Sequence, residues 1–159
     1  MSTILKMPSL AFEKLKYLLA SLQKAKIAYE QMASNLKDKQ MQQTVIGLAQ
    51  ESRQYATELD SYVHSLGIEA EFLEVDLECS IAKWVENKGP IMLEGEKDIL
   101  RWCAKSEKSM VSIYREVLNE PYLYDGIRKM IRYQLNGLMH SFAQLKLLNS
   151  SLRSGWVSE

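Results

Sequence analysis

The sequence predicts an all-α protein, a ferritin-like four-helix bundle in which two α-hairpins are joined by a long crossover. Three observations predict this fold. Apolar residues recur at steps of three and four over four long stretches, as on the buried side of amphipathic helices. Glycine and proline are few, with seven and three residues, so little interrupts these stretches. The links within each pair of stretches are short, whereas the link between the pairs is long, which is the ferritin-like connection.

The first predicted hairpin consists of helices at about 9–36 and 39–66. Ser9 is a suitable N-cap, because its hydroxyl can accept a hydrogen bond from a free amide of the first turn. Gly67 follows the second helix and supplies a left-handed stop. The predicted core positions of these two helices are Leu15, Leu18, Leu22, Ala25, Tyr29, Met32 and Leu36, then Met41, Val45, Leu48, Ser52, Tyr55, Leu59, Tyr62 and Leu66.

The second predicted hairpin consists of helices at about 97–118 and 122–152. Pro121 separates them, because the residue before a proline avoids the α region. The crossover covers 67–96, and its amphipathic stretch 80–88 predicts a short helix. We expect the whole chain, 1–159, to form one domain. The predicted core positions of this hairpin are Ile99, Cys103, Ser106, Met110, Ile113 and Val117, then Ile127, Ile131, Gln134, Leu138, Ser141, Leu145 and Leu148, with Phe142 beside them.

Composition excludes several classes of protein. The chain has 20 basic and 20 acidic residues, so it lacks the positive charge of a general nucleic-acid binder. Its apolar runs predict no membrane span, and its first residues predict no signal peptide. Cys79 and Cys103 are isolated, which favours two free thiols in the cytoplasm, the alternative being one disulfide in an exported protein.

A ferritin-like bundle raises the question of a di-iron or di-manganese site. Such sites take a Glu from each of two helices and a Glu-x-x-His from each of the other two. Ser61 stands three residues before His64, and Gly137 three residues before His140, so the chain has no Glu-x-x-His. We expect both histidines to lie at the surface.

Several carboxylates are nevertheless predicted to point inward. Glu51, Glu58 and Glu107 border the apolar stripes and are the candidate metal ligands, while Lys26 stands near a position where a fourth carboxylate is expected. The alternative is that these carboxylates pair with lysines or accept hydrogen bonds from tyrosines, because a buried charge needs a partner. The tyrosines predicted to pack in the core, with a redox role as the alternative, are Tyr29, Tyr55, Tyr62, Tyr114 and Tyr133.

Three parts of the chain resemble a known family. The stretch LAQESRQYATEL at 48–59, the crossover with Trp84, and the stretch 99–118 are similar to a bacterial family of ferritin-like bundles described only as a domain of unknown function. The resemblance implies the fold, a bacterial origin and a stress-related role. It also implies a glutamate three residues before Glu107, where this chain has Ala104.

These observations favour a non-catalytic bundle that acts by self-association or by binding another protein, without a cofactor. Exposed aromatic residues favour interfaces, and the candidate interface residues are Trp102, Tyr122, Tyr124 and Trp156. The alternative is a divergent carboxylate-bridged protein that binds iron or manganese through Glu51, Glu58 and Glu107.

Overall fold

The computed structural model describes the backbone of residues 9–65 and 96–157 and the side chains of residues 10–65 and 99–150. Within these ranges all regular secondary structure is helical, which confirms the predicted all-α class with four long helices. The crossover predicted at 67–96, its short helix at 80–88, and Cys79 lie outside the described residues, apart from Glu96 at the start of a helix. The helices are α1 (Ser9–Ser34), α2 (Lys39–Ser65), α3 (Glu96–Leu118) and α4 (Asp125–Val157).

A hydrogen bond sets the start of α2, and the burial of a leucine sets the start of α4. Asp38 caps α2, since its Oδ1 accepts from the backbone N–H of Met41 at 2.9 Å. The start of α4 was predicted at 122 but lies at Asp125. The three-residue difference arises because the chain turns after α3 and buries the apolar side chain of Leu123, which is 5% exposed.

The predicted apolar stripes form one continuous core, which runs through all four helices. Leu66 lies outside the described residues, and Tyr62, Ile113, Ser141 and Leu148 are only partly buried. Every other position of these stripes is buried. None of the four helices, over the residues described, combines the length and the apolar character that a membrane span requires.

Side-chain contacts give the directions of the helices. Lys14 near the start of α1 pairs with Glu116 near the end of α3 at 3.3 Å, so α1 and α3 are antiparallel. Tyr62 near the end of α2 lies beside Gly126 at the start of α4, so α2 and α4 are also antiparallel. Each of the pairs α1–α2, α1–α3, α2–α4 and α3–α4 packs together.

Candidate functional site

A polar cluster lies inside the bundle where α2, α3 and α4 meet. The Tyr55 hydroxyl donates to Oε2 of Glu51 at 2.9 Å, and the Tyr114 hydroxyl donates to Oε1 of Gln134 at 2.8 Å. Nε2 of Gln134 donates to the backbone carbonyl of Tyr55 at 3.1 Å and to Oε1 of Glu58 at 3.2 Å. We call these five residues the tyrosine–glutamate cluster.

Gln134 connects the members of this cluster. It lies on the core side of α4 and is completely buried. A primary amide both donates and accepts, so one side chain satisfies a phenol of α3 together with a carbonyl and a carboxylate of α2. Glu58 also accepts from Nε2 of Gln54 at 3.0 Å. The cluster therefore fixes the position of α4 relative to both of its neighbours.

Two glycines of α4 make room for tyrosines of α2. A Cβ atom at Gly137 would overlap the hydroxyl of Tyr55, and a Cβ atom at Gly126 would overlap the hydroxyl of Tyr62. Glycine at these positions lets the two helices enclose the phenols. The contact between α2 and α4 thus depends on two glycine–tyrosine pairs, one near the start of α4 and one near its middle.

The phenols of the cluster are held in their protonated form. Burial raises the pKa of Tyr114 well above its ordinary value of 10.0. Burial first, and then the negative charge of Glu51, raise the pKa of Tyr55. Both hydroxyls therefore remain hydrogen-bond donors at neutral pH. This role is structural, because a protonated phenol is not a general base.

A second polar contact joins α1 to α3. The hydroxyls of Tyr29 and Ser106 share a buried hydrogen bond. The Tyr29 ring lies edge-on to Trp102, with ring centroids 5.4 Å apart. Trp102 is only 1% exposed, so its assignment to an exposed interface is wrong. It occupies a core position because its large apolar ring fills the space between α1 and α3.

The neighbouring cysteine is equally inaccessible. Cys103 is a free thiol and is 1% exposed. Burial raises the pKa of this thiol to about 12. Because the thiolate is the reactive form of cysteine, both the burial and the raised pKa disfavour nucleophilic reactivity of Cys103.

The structure does not bring the three candidate metal ligands together. Glu107 pairs with Lys146 at 2.7 Å on the α3–α4 side, whereas Glu51 and Glu58 belong to the tyrosine–glutamate cluster. Lys26 lies 3.7 Å from Glu30. In residues 9–65 and 96–157, no group of three or more His, Cys, Asp or Glu is placed to hold a metal ion.

One carboxylate oxygen of the cluster lacks a hydrogen-bond partner among the described residues. Oε1 of Glu51 is buried and has no hydrogen-bond partner. A cation would satisfy this oxygen, but the other oxygen of the same carboxylate, Oε2, already accepts from the phenol of Tyr55. A dinuclear site needs several charged ligands, and the described residues do not fit one.

Part of the outer side of α2 and α4 carries no formal charge. No Asp, Glu, Lys or Arg occurs in 40–50 or in 133–145, although 25% of the chain is charged. The ring of Tyr133 contacts Tyr55 at the seam between these helices, with centroids 6.5 Å apart. We call this surface the amide face; its exposed or partly exposed members are Gln40, Gln43, Gly47, Gln50 and Gln54 on α2, and Tyr133, Asn136, His140, Gln144 and Leu147 on α4.

The amide face was not predicted from the sequence, although a signal was present. The two charge-free stretches are visible in the sequence, but only the packing of α2 against α4 shows that they share one side of the bundle. Tyr133 was predicted to be a core residue, and this is wrong because it is 66% exposed. Its ring covers the edge of the buried Tyr55 and otherwise faces outward.

Comparison with known protein families assigns the chain. A family model described as Domain of unknown function (DUF2383) matches residues 11–120, which is more than half of the 159 residues. The chain belongs to the DUF2383 family. No curated protein and no solved structure matches it.

The DUF2383 match covers most but not all of the tyrosine–glutamate cluster. It includes α2 and α3, which supply Glu51, Tyr55, Glu58 and Tyr114, and ends before Gln134.

The predicted interface residues differ in their exposure to solvent. Tyr122 is 67% exposed, Tyr124 is partly buried against the core, and the side chain of Trp156 lies outside the described residues. Both histidines are exposed, as predicted.

Proposed function

We propose that this DUF2383 protein is a non-catalytic bundle that acts by protein association, and that the amide face is its binding surface. The observation that carries the proposal is the absence of formal charge from this face. Interface cores are depleted of charged residues and enriched in tyrosine and methionine relative to the rest of a protein surface.

Exposed apolar side chains support the same face. Leu147 is 71% exposed and Tyr133 is 66% exposed, and both lie on the outer side of α4. A single exposed apolar residue is ordinary in soluble proteins. Two large ones on a helix face that also lacks charge are what a binding surface requires.

The chemistry of the interior supports a non-catalytic role. The phenols of Tyr55 and Tyr114 are buried donors with partners, and the thiol of Cys103 is buried and protonated. A buried polar network of this kind specifies one packing of the helices. The free thiol also supports a reducing, cytoplasmic setting for the protein.

The helix directions support a ferritin-like arrangement of two hairpins and a crossover. Ser65 ends α2 at the end of the bundle where α4 begins, while Glu96 begins α3 at the end where α1 finishes. A helix of this length spans about 40 Å. The 30 residues between Ser65 and Glu96 are long enough to connect opposite ends, since an extended chain spans about 3.3 Å per residue.

Binding of iron or manganese is the alternative function, and metal analysis tests it. The purified protein, expressed in medium rich in iron or manganese, is analysed for bound metal beside a Glu51→Gln variant. We expect substoichiometric metal in both proteins, because the described carboxylates do not lie together at one site. Stoichiometric metal that disappears in the variant would establish the alternative.

Sedimentation velocity over a range of concentrations tests association. We expect the wild-type protein to move from monomer to a larger species as concentration rises. The Leu147→Glu variant places a charge on the amide face and should remain monomeric. Tyr122→Glu is the matched control, because Tyr122 is equally exposed but lies off this face. A wild-type protein that stays monomeric and binds no other protein would contradict the proposal.

A further inference from the structure

We infer that the amide face binds a second copy of the same chain, through an isologous contact in which the two α2 helices cross at Gly47. This inference rests on the proposed function and names both the partner and the point of closest approach. Its evidence is a mid-helix glycine that the contacts among the described residues do not require, together with a row of amides that can pair with themselves.

Gly47 lies within α2, where glycine is unfavourable. Glycine in the interior of a helix costs about 0.5–1 kcal/mol relative to alanine. Gly126 and Gly137 each have a tyrosine hydroxyl in the place of a side chain, but a Cβ atom at Gly47 would meet no atom within 4 Å. The described residues of one subunit therefore give no reason for glycine at this position, whereas a helix backbone approaching from outside gives one.

The amides around Gly47 suit a contact between identical surfaces. Gln40, Gln43, Gln50 and Gln54 follow the same side of α2 at steps of three and four residues. In an isologous contact each surface meets a copy of itself, so a charged surface would bring like charges together. An amide both donates and accepts and can bond to another amide without repulsion.

The carboxylates nearest to this face do not oppose the contact. Glu51 accepts a hydrogen bond from Tyr55, and Glu58 accepts from Gln54 and Gln134. Both are only partly exposed and are directed into the seam between α2 and α4. A partner with a charged surface would find no complementary charge on the amide face, which favours a second copy over an acidic or basic partner.

A leucine at position 47 separates association from folding. Gly47→Leu introduces a strong helix former into open space, so the thermal stability of the monomer should be equal to that of the wild type or higher. The same side chain blocks the crossing of the two α2 helices, and the dimer dissociation constant should rise about tenfold or more. Ser112→Leu is the matched control, because it adds the same side chain on the exposed surface of α3 and should leave dimerisation unchanged.

Disulfide cross-linking locates the contact and provides a second measurement. A two-fold axis at Gly47 brings residue 47 of one copy to residue 47 of the other. The variant Gly47→Cys with Cys79→Ser should form a covalent dimer under a mild oxidant, since a disulfide needs Cα atoms within about 7 Å. Ser112→Cys with Cys79→Ser should not cross-link at the same protein concentration. The remaining cysteine, Cys103, is buried.

The outcomes distinguish this inference from the proposed function. A dimer that is weakened by Gly47→Leu and is cross-linked through position 47 supports the inference. A dimer that is unaffected by Gly47→Leu and does not cross-link overturns it and leaves association through another surface. A wild-type protein that is monomeric at all concentrations overturns the second copy as partner, and with it the self-association part of the proposed function.

Discussion

At the scale of single residues, Gln134 has the most demanding position in the bundle. It is a fully buried polar side chain whose amide contacts α2 and α3 at once. A buried hydrogen bond contributes modestly when it is made, but a donor or acceptor left without its partner is costly. The stability of the core should therefore respond strongly to this one residue.

A double-mutant cycle tests that role. Gln134→Leu leaves the Tyr114 hydroxyl without an acceptor and removes one of the two amide donors to the Glu58 carboxylate, and we expect a loss of about 1–3 kcal/mol for the unsatisfied hydroxyl. Combining it with Tyr114→Phe should cost less than the sum of the two single changes, because the phenol no longer needs an acceptor. Urea unfolding measures the four free energies. Strict additivity would show that the bond contributes nothing specific.

The glycines of α4 and α2 give a matched pair of alanine variants. In Gly137→Ala the new methyl group overlaps the Tyr55 hydroxyl, so the phenol must move and lose its bond to Glu51. We expect destabilisation of about 1–3 kcal/mol. Gly47→Ala places the same methyl group in open space and should stabilise the monomer by about 0.5–1 kcal/mol. Thermal unfolding of the dilute proteins tests the difference, and equal effects would contradict it.

At the scale of the helices, the turn between α3 and α4 depends on one arginine. Arg128 donates to the backbone carbonyls of Leu118 at 2.5 Å and of Glu120 at 2.6 Å. These carbonyls lie at and just beyond the C-terminus of α3, where a cation also interacts favourably with the helix dipole. The arginine thereby connects the end of one helix to the start of the next.

Replacing this arginine should weaken the second pair of helices. Arg128→Met keeps the apolar stem but removes the guanidinium donor from both carbonyls, of which that of Glu120 keeps only a 3.4 Å bond from the N–H of Leu123. We expect a loss of about 1–3 kcal/mol in the free energy of unfolding. Lys129→Met is the control, since it removes the same charge from an exposed neighbour and should change stability by less than about 0.5 kcal/mol. Similar losses in the two variants would show that charge alone matters.

The helices were predicted well from the sequence because their periodicity is strong. Leu15, Leu22 and Ile131 are buried as the three- and four-residue steps predicted. The start of α4 was missed because burial of Leu123, a tertiary contact, decides where the chain turns. Trp102 was predicted at the surface and Tyr133 in the core, and the structure shows the opposite. Periodicity gives only the direction of a helix face, whereas the fit between neighbouring helices decides which aromatic ring is enclosed.

At the scale of the whole molecule, buried acidic protons link stability to alkaline pH. Burial raises the pKa of Cys103 from 9.0 to about 12 and raises that of Tyr114 above 10.0. The folded protein therefore retains protons that the unfolded chain releases. This contribution is complete below the unfolded pKa values and is lost as pH rises above them, at about 1.4 kcal/mol per pH unit for each group.

Urea unfolding at a series of pH values from about 8 to 11 measures this linkage. We expect the free energy of unfolding to fall throughout the upper part of this range. Cys103→Ala should reduce the slope of the free energy of unfolding against pH by the contribution of one titrating group, even if the smaller side chain lowers stability at every pH. A free energy of unfolding that is independent of pH up to 11 would mean that these groups ionise as readily in the folded protein as in the unfolded chain.

The arrangement of the whole bundle also explains why the binding surface was missed in the sequence. Charge-free stretches in α2 and α4 are separated by more than 80 residues, from Gln50 to Tyr133. They become one surface only because α2 and α4 pack side by side. The candidate interface residues were chosen for aromatic character alone, and that criterion selected Trp102, whose ring is buried.

Sedimentation equilibrium of the full chain, with wild type and Gly47→Leu measured side by side, tests whether two copies associate through Gly47. We expect wild type to approach twice the 18.3 kDa of one chain as concentration rises, and the variant to stay closer to the monomer mass at the same concentrations. A wild-type mass of 18.3 kDa at every concentration, or identical curves for the two proteins, would contradict it.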